Sequence, residues 1–153
     1  MVQPGAEQNI MVQTSRFGEI SVDEKRIIRM LSPLLGFPES KRFILKSHSK
    51  KSPLMWLQSL DNPDLAFVVI PATLLNMDYQ PEIPRQSLKE LMITSDSDKD
   101  ILLILTIPKE NPLEMTANFL GPIVLNSQRK LAVQVVLDPH QYDPCRKLFP
   151  AKS

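Results

Sequence analysis

Short runs of apolar and β-branched residues recur along this chain, and most are bounded by Pro, Asp, Asn or Ser. Runs of this length and composition are typical of β-strands. Some alternate apolar and polar positions, as expected of strands with one buried face, whereas others are apolar throughout, as expected of fully buried strands. The pattern predicts seven or eight strands, which include residues 17–22, 42–46, 54–58, 66–70, 101–107, 123–125 and 130–137.

One segment has helical periodicity. Leu88, Leu91 and Met92 share one face of a helix over residues 86–92, and Ser87 or a neighbour is a suitable cap. With few helices and no alternation of strands with helices, the pattern favours an antiparallel sheet closed or folded over itself. We therefore predict a mainly β fold: a compact antiparallel barrel-like domain with one or two short helices, one of which plugs an end of the barrel.

The length of the chain, 153 residues, suits a single domain. The first nine residues and the tail from Pro139 lack sustained patterning, so we predict both to be flexible.

Charge is nearly balanced overall but unevenly distributed. With 18 Lys and Arg against 17 Asp and Glu, the formal net charge is +1, so no strong field marks a general nucleic-acid or membrane-surface binder. Residues 54–126 carry 4 basic and 10 acidic side chains, a net charge of −6, whereas residues 1–53 and 127–153 carry +4 and +3. The acidic centre is either a face for a basic partner or complementary charge brought together within the fold.

Cysteine usage and hydropathy bear on location. The single cysteine, Cys145, cannot form an internal disulfide. The longest apolar run, residues 101–107, is far shorter than the roughly 20 residues that span a bilayer. We expect a cytoplasmic protein that does not bind membranes.

The residues of nucleophilic and metal chemistry are scarce. His48 lies in a loop rich in Lys and Ser, His140 lies in a turn, and Cys145 follows a proline, so none has an evident catalytic partner. The chain has no glycine-rich phosphate loop, and two histidines with one cysteine do not readily assemble a zinc site. The sequence predicts no catalytic residue, metal or cofactor.

Carboxylates leave one enzymatic alternative open. The spacing of Asp96, Asp98 and Asp100 resembles the start of a calcium loop, but Ile101 stands where the sharp turn needs glycine. Paired carboxylates for acid–base chemistry can be drawn from elsewhere in the chain, and the alternative is a small-molecule-binding or hydrolytic β-barrel. The candidate carboxylates are Asp61, Asp64, Asp78, Glu82, Glu110 and Glu114.

A second alternative is RNA binding through the basic stretch Lys41–Lys51. Single-stranded nucleic acids bind to basic grooves with interleaved aromatic side chains. The stretch contains Phe43 but no second stacking aromatic, so a solvated hairpin explains it better.

The order of several short motifs resembles that of the flagellar assembly factor FliW family. The resemblance extends roughly from Thr14 to Tyr142, and the segment over residues 115–126 is the most specific. It implies a single domain over residues 14–142, with a flexible N-terminal extension over 1–13 and a flexible tail over 143–153. The motifs are Arg16–Ile20, Leu35–Phe37, Trp56–Ser59, Asp64–Phe67, Met115–Asn126 and Gln134–Leu137. Within them we expect structural roles for Phe17, Gly18, Gly36, Phe37, Gln58, Ser59, Thr116, Asn118, Pro122 and Asn126.

The resemblance implies a non-enzymatic regulator. Members of the family bind flagellin, and once flagellin has been secreted they bind CsrA, a small basic RNA-binding dimer, and stop it repressing flagellin translation. We expect no direct contact with nucleic acid. Acidic side chains and two aromatic anchors are the expected partner-binding residues: Asp61, Asp64, Asp78, Tyr79, Glu82, Asp96, Asp98, Asp100 and Phe119.

Physical roles follow for several motif positions. Gln58 and Ser59 should end a strand in a turn, because the residue before Pro63 is disfavoured in the helical region. Asn118 and Asn126 should bond backbone groups at the two ends of a strand, and Pro122 should stand at a strand start, an edge or a bulge.

Two prolines depart from the family pattern. Pro33 stands where the family usually has glycine, and Pro71 comes one position earlier than the usual proline. A proline cannot adopt positive φ, so we expect the loop around Pro33 to differ from that of the family.

Overall fold

In the computed structural model, residues 8–75 and 78–149 are described. They form eleven strands, β1 to β11 in chain order, and one short α-helix, α1, at Arg85–Glu90. The strands are Asn9–Thr14, Gly18–Asp23, Ile28–Met30, Arg42–Ser47, Met55–Ser59, Ala66–Pro71, Lys99–Thr106, Thr116–Ala117, Ile123–Asn126, Leu131–Gln134 and Arg146–Lys147.

Seven strands close into a barrel, in the order β7-β6-β5-β4-β3-β10-β9, and β9 pairs back onto β7. Neighbouring strands are antiparallel except β3 and β10, which run parallel. The prediction of a mainly β barrel is confirmed. Closure removes the free sheet edges that an open sheet would expose.

Alternation along the strands divides inward-facing from outward-facing side chains. In β9, Ile123 and Leu125 belong to the cluster inside the barrel, whereas Val124 packs in a separate cluster outside it. Side chains from the barrel strands fill the interior. Its buried members are Ile28, Met30, Leu34, Phe43, Leu57, Val69, Leu102, Ile123, Leu125 and Ala132.

Three further clusters cover apolar positions on the outer face of the barrel. The β1–β2 hairpin packs against Ile44 of β4, and α1 packs with β9 and β10 through Leu91. The third cluster joins Leu103 of β7 to Phe119 and to Leu148 near the C-terminal end. The barrel wall is therefore buried on both sides along several strands, which explains their continuous apolar runs.

The position of the helix differs from the prediction. Helix α1 begins at Arg85 after Pro84, without a side-chain cap, and it covers the outer wall instead of plugging a barrel end. The loop over residues 31–41 fills one end instead, because Leu34 in this loop belongs to the interior cluster. Local helical periodicity gives no information on which surface a helix will cover.

Regular structure extends beyond the predicted domain limits at both ends. Residues 9–13, assigned by the sequence to a flexible extension, pair with β2 as strand β1. In the predicted tail, Arg146 and Lys147 pair with β8. Strand β1 pairs with the next strand across a short hairpin turn, whereas β11 depends on a partner about 30 residues away, which local patterning does not reveal. The remaining terminal residues of these predictions, 1–7 and 150–153, lie outside the described residues.

Candidate functional site

The acidic candidates do not form one face. Asp61 and Asp64 follow β5 in the turn that leads into β6, whereas Asp96, Asp98 and Asp100 lie at the start of β7. Strand β6 separates the two groups, because the start of β7 pairs with the end of β6. A six-residue strand is about 20 Å long, so the two groups lie at opposite ends of the barrel wall.

Asp61 is engaged within the fold. Its carboxylate accepts hydrogen bonds from the backbone amides of Lys41 and Arg42 at 2.8 and 2.9 Å. It also pairs with the Arg42 guanidinium at 3.0 Å. Partial burial opposes ionisation of Asp61, but these hydrogen bonds and the Arg42 charge outweigh it and lower the pKa of the carboxyl. The group anchors the start of β4 to the β5–β6 turn.

Asp64 is also committed to a local contact. Its carboxylate accepts a hydrogen bond from the Ser15 hydroxyl, and the Ser15 amide donates to the Pro63 carbonyl at 2.9 Å. These bonds hold the tip of the β1–β2 hairpin against the β5–β6 turn. Asp61 and Asp64 therefore have structural partners that a docking protein would have to replace.

We define the acidic loop as Asp96, Asp98 and Asp100, of which Asp96 and Asp100 are exposed and Asp98 is partly buried. The Asp96 side chain is 99% exposed and forms an ion pair with Lys99 at 3.5 Å. The Ser127 amide donates to the Asp98 carbonyl at 3.2 Å, which ties this loop to the β9–β10 turn. The Ser95 hydroxyl donates to the Asp98 carboxylate at 3.3 Å, so the exposed carboxylates of this loop are those of Asp96 and Asp100.

Tyr79 bridges the segment before α1 to the outer apolar cluster of β7. Its hydroxyl donates to the Phe119 carbonyl at 2.8 Å, and its ring packs edge-on against Phe119 and Tyr142. Burial, together with the neighbouring Tyr142, raises the pKa of the Tyr79 hydroxyl. Asp78 and Glu82 flank Tyr79 and are exposed.

Phe119 is a core residue in this structure. Its side chain is 1% exposed and packs with Ile70, Leu103 and Leu105. The structure therefore contradicts the expectation of an exposed aromatic anchor at this position. The segment before β9 is irregular, so no strand alternation marks which of its side chains turn inward.

Several motif residues have the structural roles that the sequence predicts. The Asn118 Oδ1 accepts from the amides of Leu120 and Gly121, immediately before β9. Asn126, at the end of β9, accepts from the amides of Gln128 and Arg129 through Oδ1. Pro122 directly precedes β9, at the strand start that the sequence predicts for it.

Gln58 and Ser59 end β5 as predicted. The Ser59 hydroxyl accepts from the amides of Asp61 and Asn62, and the Gln58 amide donates to the carbonyls of Ser59 and Leu65. Gly18 and Gly36 adopt positive φ, with values of 69° and 88°. Phe17 and Phe37 make aromatic contacts, and Thr116 lies in β8.

The structure also assembles a basic and aromatic group that sequence analysis missed. Arg16, Phe17 and His48 come together around Trp56 of β5, beside Lys46 of β4. Lys46 and Trp56 are direct cross-strand partners. An antiparallel pairing of the predicted strands over 42–46 and 54–58 in this register would have placed these two side chains together.

Within residues 8–75 and 78–149, no three His, Cys, Asp or Glu side chains come together in a group that could hold a metal ion. In the same ranges, no helix is long and apolar enough to span a bilayer.

Comparison with known proteins identifies relatives over most of the chain. A family model described as FliW protein matches residues 11–148. The chain is 43% identical over 136 residues to "Flagellar assembly factor FliW" of Syntrophus aciditrophicus, covering 86% of this chain and 85% of that protein. A protein of the same name from Leptospira interrogans is 39% identical over 140 residues, with 92% and 93% covered.

A solved structure supports the same relationship. The crystal structure of the flagellar assembly factor FliW superposes with a TM-score of 0.85 at 33% sequence identity. The match covers 94% of this chain and 100% of the crystallised chain. The sequence comparison and the structural comparison therefore indicate the same family over the barrel and its outer clusters.

Proposed function

The chain belongs to the FliW family of flagellar assembly factors, and from this premise we propose that it binds flagellin and antagonises the translational repressor CsrA by partner switching. The observation that carries the proposal is the family match over residues 11–148, nearly all of the described chain. A role in flagellum assembly follows from the family. The two partners and the cytoplasmic location are our proposal.

The proposed mechanism is competition for one protein. Unsecreted flagellin binds the regulator and lowers its free concentration, so CsrA remains active and represses flagellin translation. When flagellin is secreted, the free regulator binds CsrA. Mass action then sets CsrA activity, and no covalent chemistry is required.

We propose the acidic loop as the surface that attracts CsrA. Asp96 and Asp100 are exposed and Asp98 is partly buried, whereas Asp61 and Asp64 are bonded to residues of other elements. Exposed charge opposite a basic partner mainly accelerates encounter and sets orientation. Asp78 and Glu82 are exposed as well and are the secondary candidates.

Flagellin requires an apolar surface under this proposal. Its terminal segments are unpaired before assembly, and we propose that they dock an apolar helical face onto the regulator. The loop that closes one barrel end exposes Leu31, Leu35 and Phe37, which are suitable contacts for such a face. Tyr79 lies in the segment before α1, outside this loop, and its half-buried ring adds a small aromatic surface there.

The hydrolytic alternative receives no support from its best-placed carboxylate. A general acid needs a raised carboxyl pKa. Asp61 shares a shallow cleft with Glu39, but the Asp61 pKa is lowered and Arg42 neutralises its charge.

The test is calorimetric titration of the purified protein with CsrA and, separately, with monomeric flagellin, followed by competition between them. We expect saturable binding of each partner and displacement of one by the other. Failure to bind either of two folded, active partners would refute the proposal. Independent binding without displacement would refute partner switching alone.

A further inference from the structure

A patch of cations and aromatic rings lies on the outer wall formed by β4, β5 and the tip of the β1–β2 hairpin. We call it the basic–aromatic surface and define it as Arg16, Phe17, Lys46, His48 and Trp56. The Arg16 guanidinium lies 4.0 Å from the Trp56 ring centroid, and the His48 imidazole stacks on the same indole at 5.3 Å. The Lys46 ammonium lies 5.2 Å from the Phe17 ring centroid.

The fold fixes the geometry of this surface. The Thr14 hydroxyl donates to the Gly18 carbonyl and accepts from the Phe17 amide, which closes the hairpin turn. The Ser15 amide bonds to the Pro63 carbonyl, so the tip of the hairpin is fastened to the barrel. Arg16 and Phe17 are consequently held over β5 by backbone as well as side-chain contacts.

The cations of this surface lack acidic partners within the described residues. No carboxylate of residues 8–75 or 78–149 forms an ion pair with Arg16 or Lys46, in contrast to Arg42 and Lys99. A cation–π contact orients a guanidinium without using its N–H donors. Arg16 therefore presents a preorganised fork that can receive a carboxylate in a bidentate arrangement.

A cleft beside Arg16 contains an unsatisfied acceptor. Ser15, Arg16, Gln58 and Asp64 contribute to its lining. The Gln58 side chain is completely buried, and within the described residues its Oε1 has no hydrogen-bond partner, although its amide nitrogen bonds to backbone carbonyls. Because this oxygen is buried below the surface of the cleft, a docked segment does not bond to it, and the cleft contributes only a depression beside Arg16.

We propose that the basic–aromatic surface is a docking site for an acidic segment of a partner protein. Arg16 and Lys46 receive its carboxylates, and the Trp56 and Phe17 rings hold these two cations in place. The site has the opposite charge to the acidic loop, so it selects a different partner or a different segment of one. This inference goes beyond the proposed function and does not depend on either named partner.

The contacts of the rings favour an acidic peptide over RNA. Bases bind single-strand proteins by stacking on aromatic faces that are open. Here Arg16 and His48 already contact the Trp56 ring, and Lys46 contacts the Phe17 ring.

The experiment uses a short fluorescein-labelled polyglutamate as the probe. Fluorescence anisotropy measures its affinity for the full chain at low and high salt. Because Trp56 is the only tryptophan, its emission reports separately whether the probe binds at this surface. The charge variant is Arg16→Gln with Lys46→Gln, and the matched control is Lys89→Gln with Lys109→Gln, which removes two exposed positive charges elsewhere.

We expect saturable binding with a change in Trp56 emission, weakened roughly tenfold or more in the charge variant and little changed in the control. High salt should weaken binding. Equal loss in both variants, or binding without a Trp56 response, would overturn the assignment. So would no binding by a wild-type chain whose thermal unfolding is normal. Tighter binding of a labelled single-stranded oligouridylate, with the same loss in the charge variant, would assign the surface to RNA instead.

Discussion

Asp61 accepts hydrogen bonds from two backbone amides and from the Arg42 guanidinium, although it lies in a turn on the protein surface. The pKa of this carboxyl is lowered below its ordinary value of 3.8, so the ionised form favours the folded state. The resulting stabilisation is present above the unfolded-state pKa and is lost as the pH falls through the lower folded-state pKa.

Asp61→Asn should therefore destabilise the protein at neutral pH, by about 1–3 kcal/mol, because charge-assisted bonds to Lys41 and Arg42 are weakened. The difference in unfolding free energy from wild type should shrink as the pH falls below 3.8. Urea denaturation across this pH range measures both effects. Glu39→Gln removes a charge from the same cleft and is the control. A constant difference at all pH values would contradict the assigned linkage.

At single positions, the sequence predicts best those roles that depend on local backbone chemistry. The asparagines at the ends of β9 and the turn after Ser59 were predicted from residue type alone. Phe119 was misplaced because its burial depends on Tyr79 and Tyr142, which are distant in the chain. The role of a residue in a turn can be predicted from its sequence neighbours, whereas predicting the burial of an aromatic ring requires the tertiary fold.

Among the elements, the long strands follow directly from their apolar runs, whereas short strands are recognisable only from their partners. Strand β8 has two residues and β3 has three, too few for a periodic signal. The hairpin strand β1 becomes half-buried because it pairs with β2 and packs over Ile44. Predicting these elements would have required the pairing scheme of the barrel.

Asn126 joins two elements through one side chain. Its Nδ2 donates to the carbonyls of Leu91 and Met92 at the end of α1, and its Oδ1 accepts from the β9–β10 turn. Asn126→Ala should cost about 2–4 kcal/mol of unfolding free energy, because these buried backbone groups lose their partners. Hydrogen exchange should accelerate at Leu91 and in the turn.

Asn9→Ala, at an exposed position in β1, is the control for that substitution and should change stability by less than about 0.5 kcal/mol. Urea denaturation compares the two variants. If Asn126→Ala were as stable as Asn9→Ala, the connection between α1 and the barrel would not depend on this amide.

For the whole molecule, closure of the barrel decides which charges lie together. The acidic middle of the chain is continuous in sequence, yet β6 separates Asp61 and Asp64 from the acidic loop. In the basic first third, the hairpin brings Arg16 to Lys46 and Trp56. Charge blocks along a sequence therefore indicate the sign of possible partners, but only strand pairing identifies the surface.

Neutralising the acidic loop tests whether its charge accelerates the association of CsrA. The triple substitution Asp96→Asn, Asp98→Asn and Asp100→Asn should slow CsrA association at low salt, since steering depends on long-range attraction. Dissociation should change less, and the unfolding free energy should change little, because Asp96 and Asp100 are exposed and Asp98 bonds locally to the Ser95 hydroxyl. Stopped-flow measurements at several salt concentrations separate the two rate constants, and the difference in association rate should vanish when salt screens the charges.

A matched variant separates local steering from total charge. Glu24→Gln, Glu110→Gln and Glu114→Gln remove the same number of carboxylates outside the acidic loop. If only net charge mattered, both triple variants would slow association equally. If the loop is the docking face, its variant alone should show a large decrease at low salt, because field strength falls with distance from the contact. Unchanged association of the loop variant at low salt would exclude the loop from the CsrA surface and leave Asp78 and Glu82 as the remaining exposed candidates.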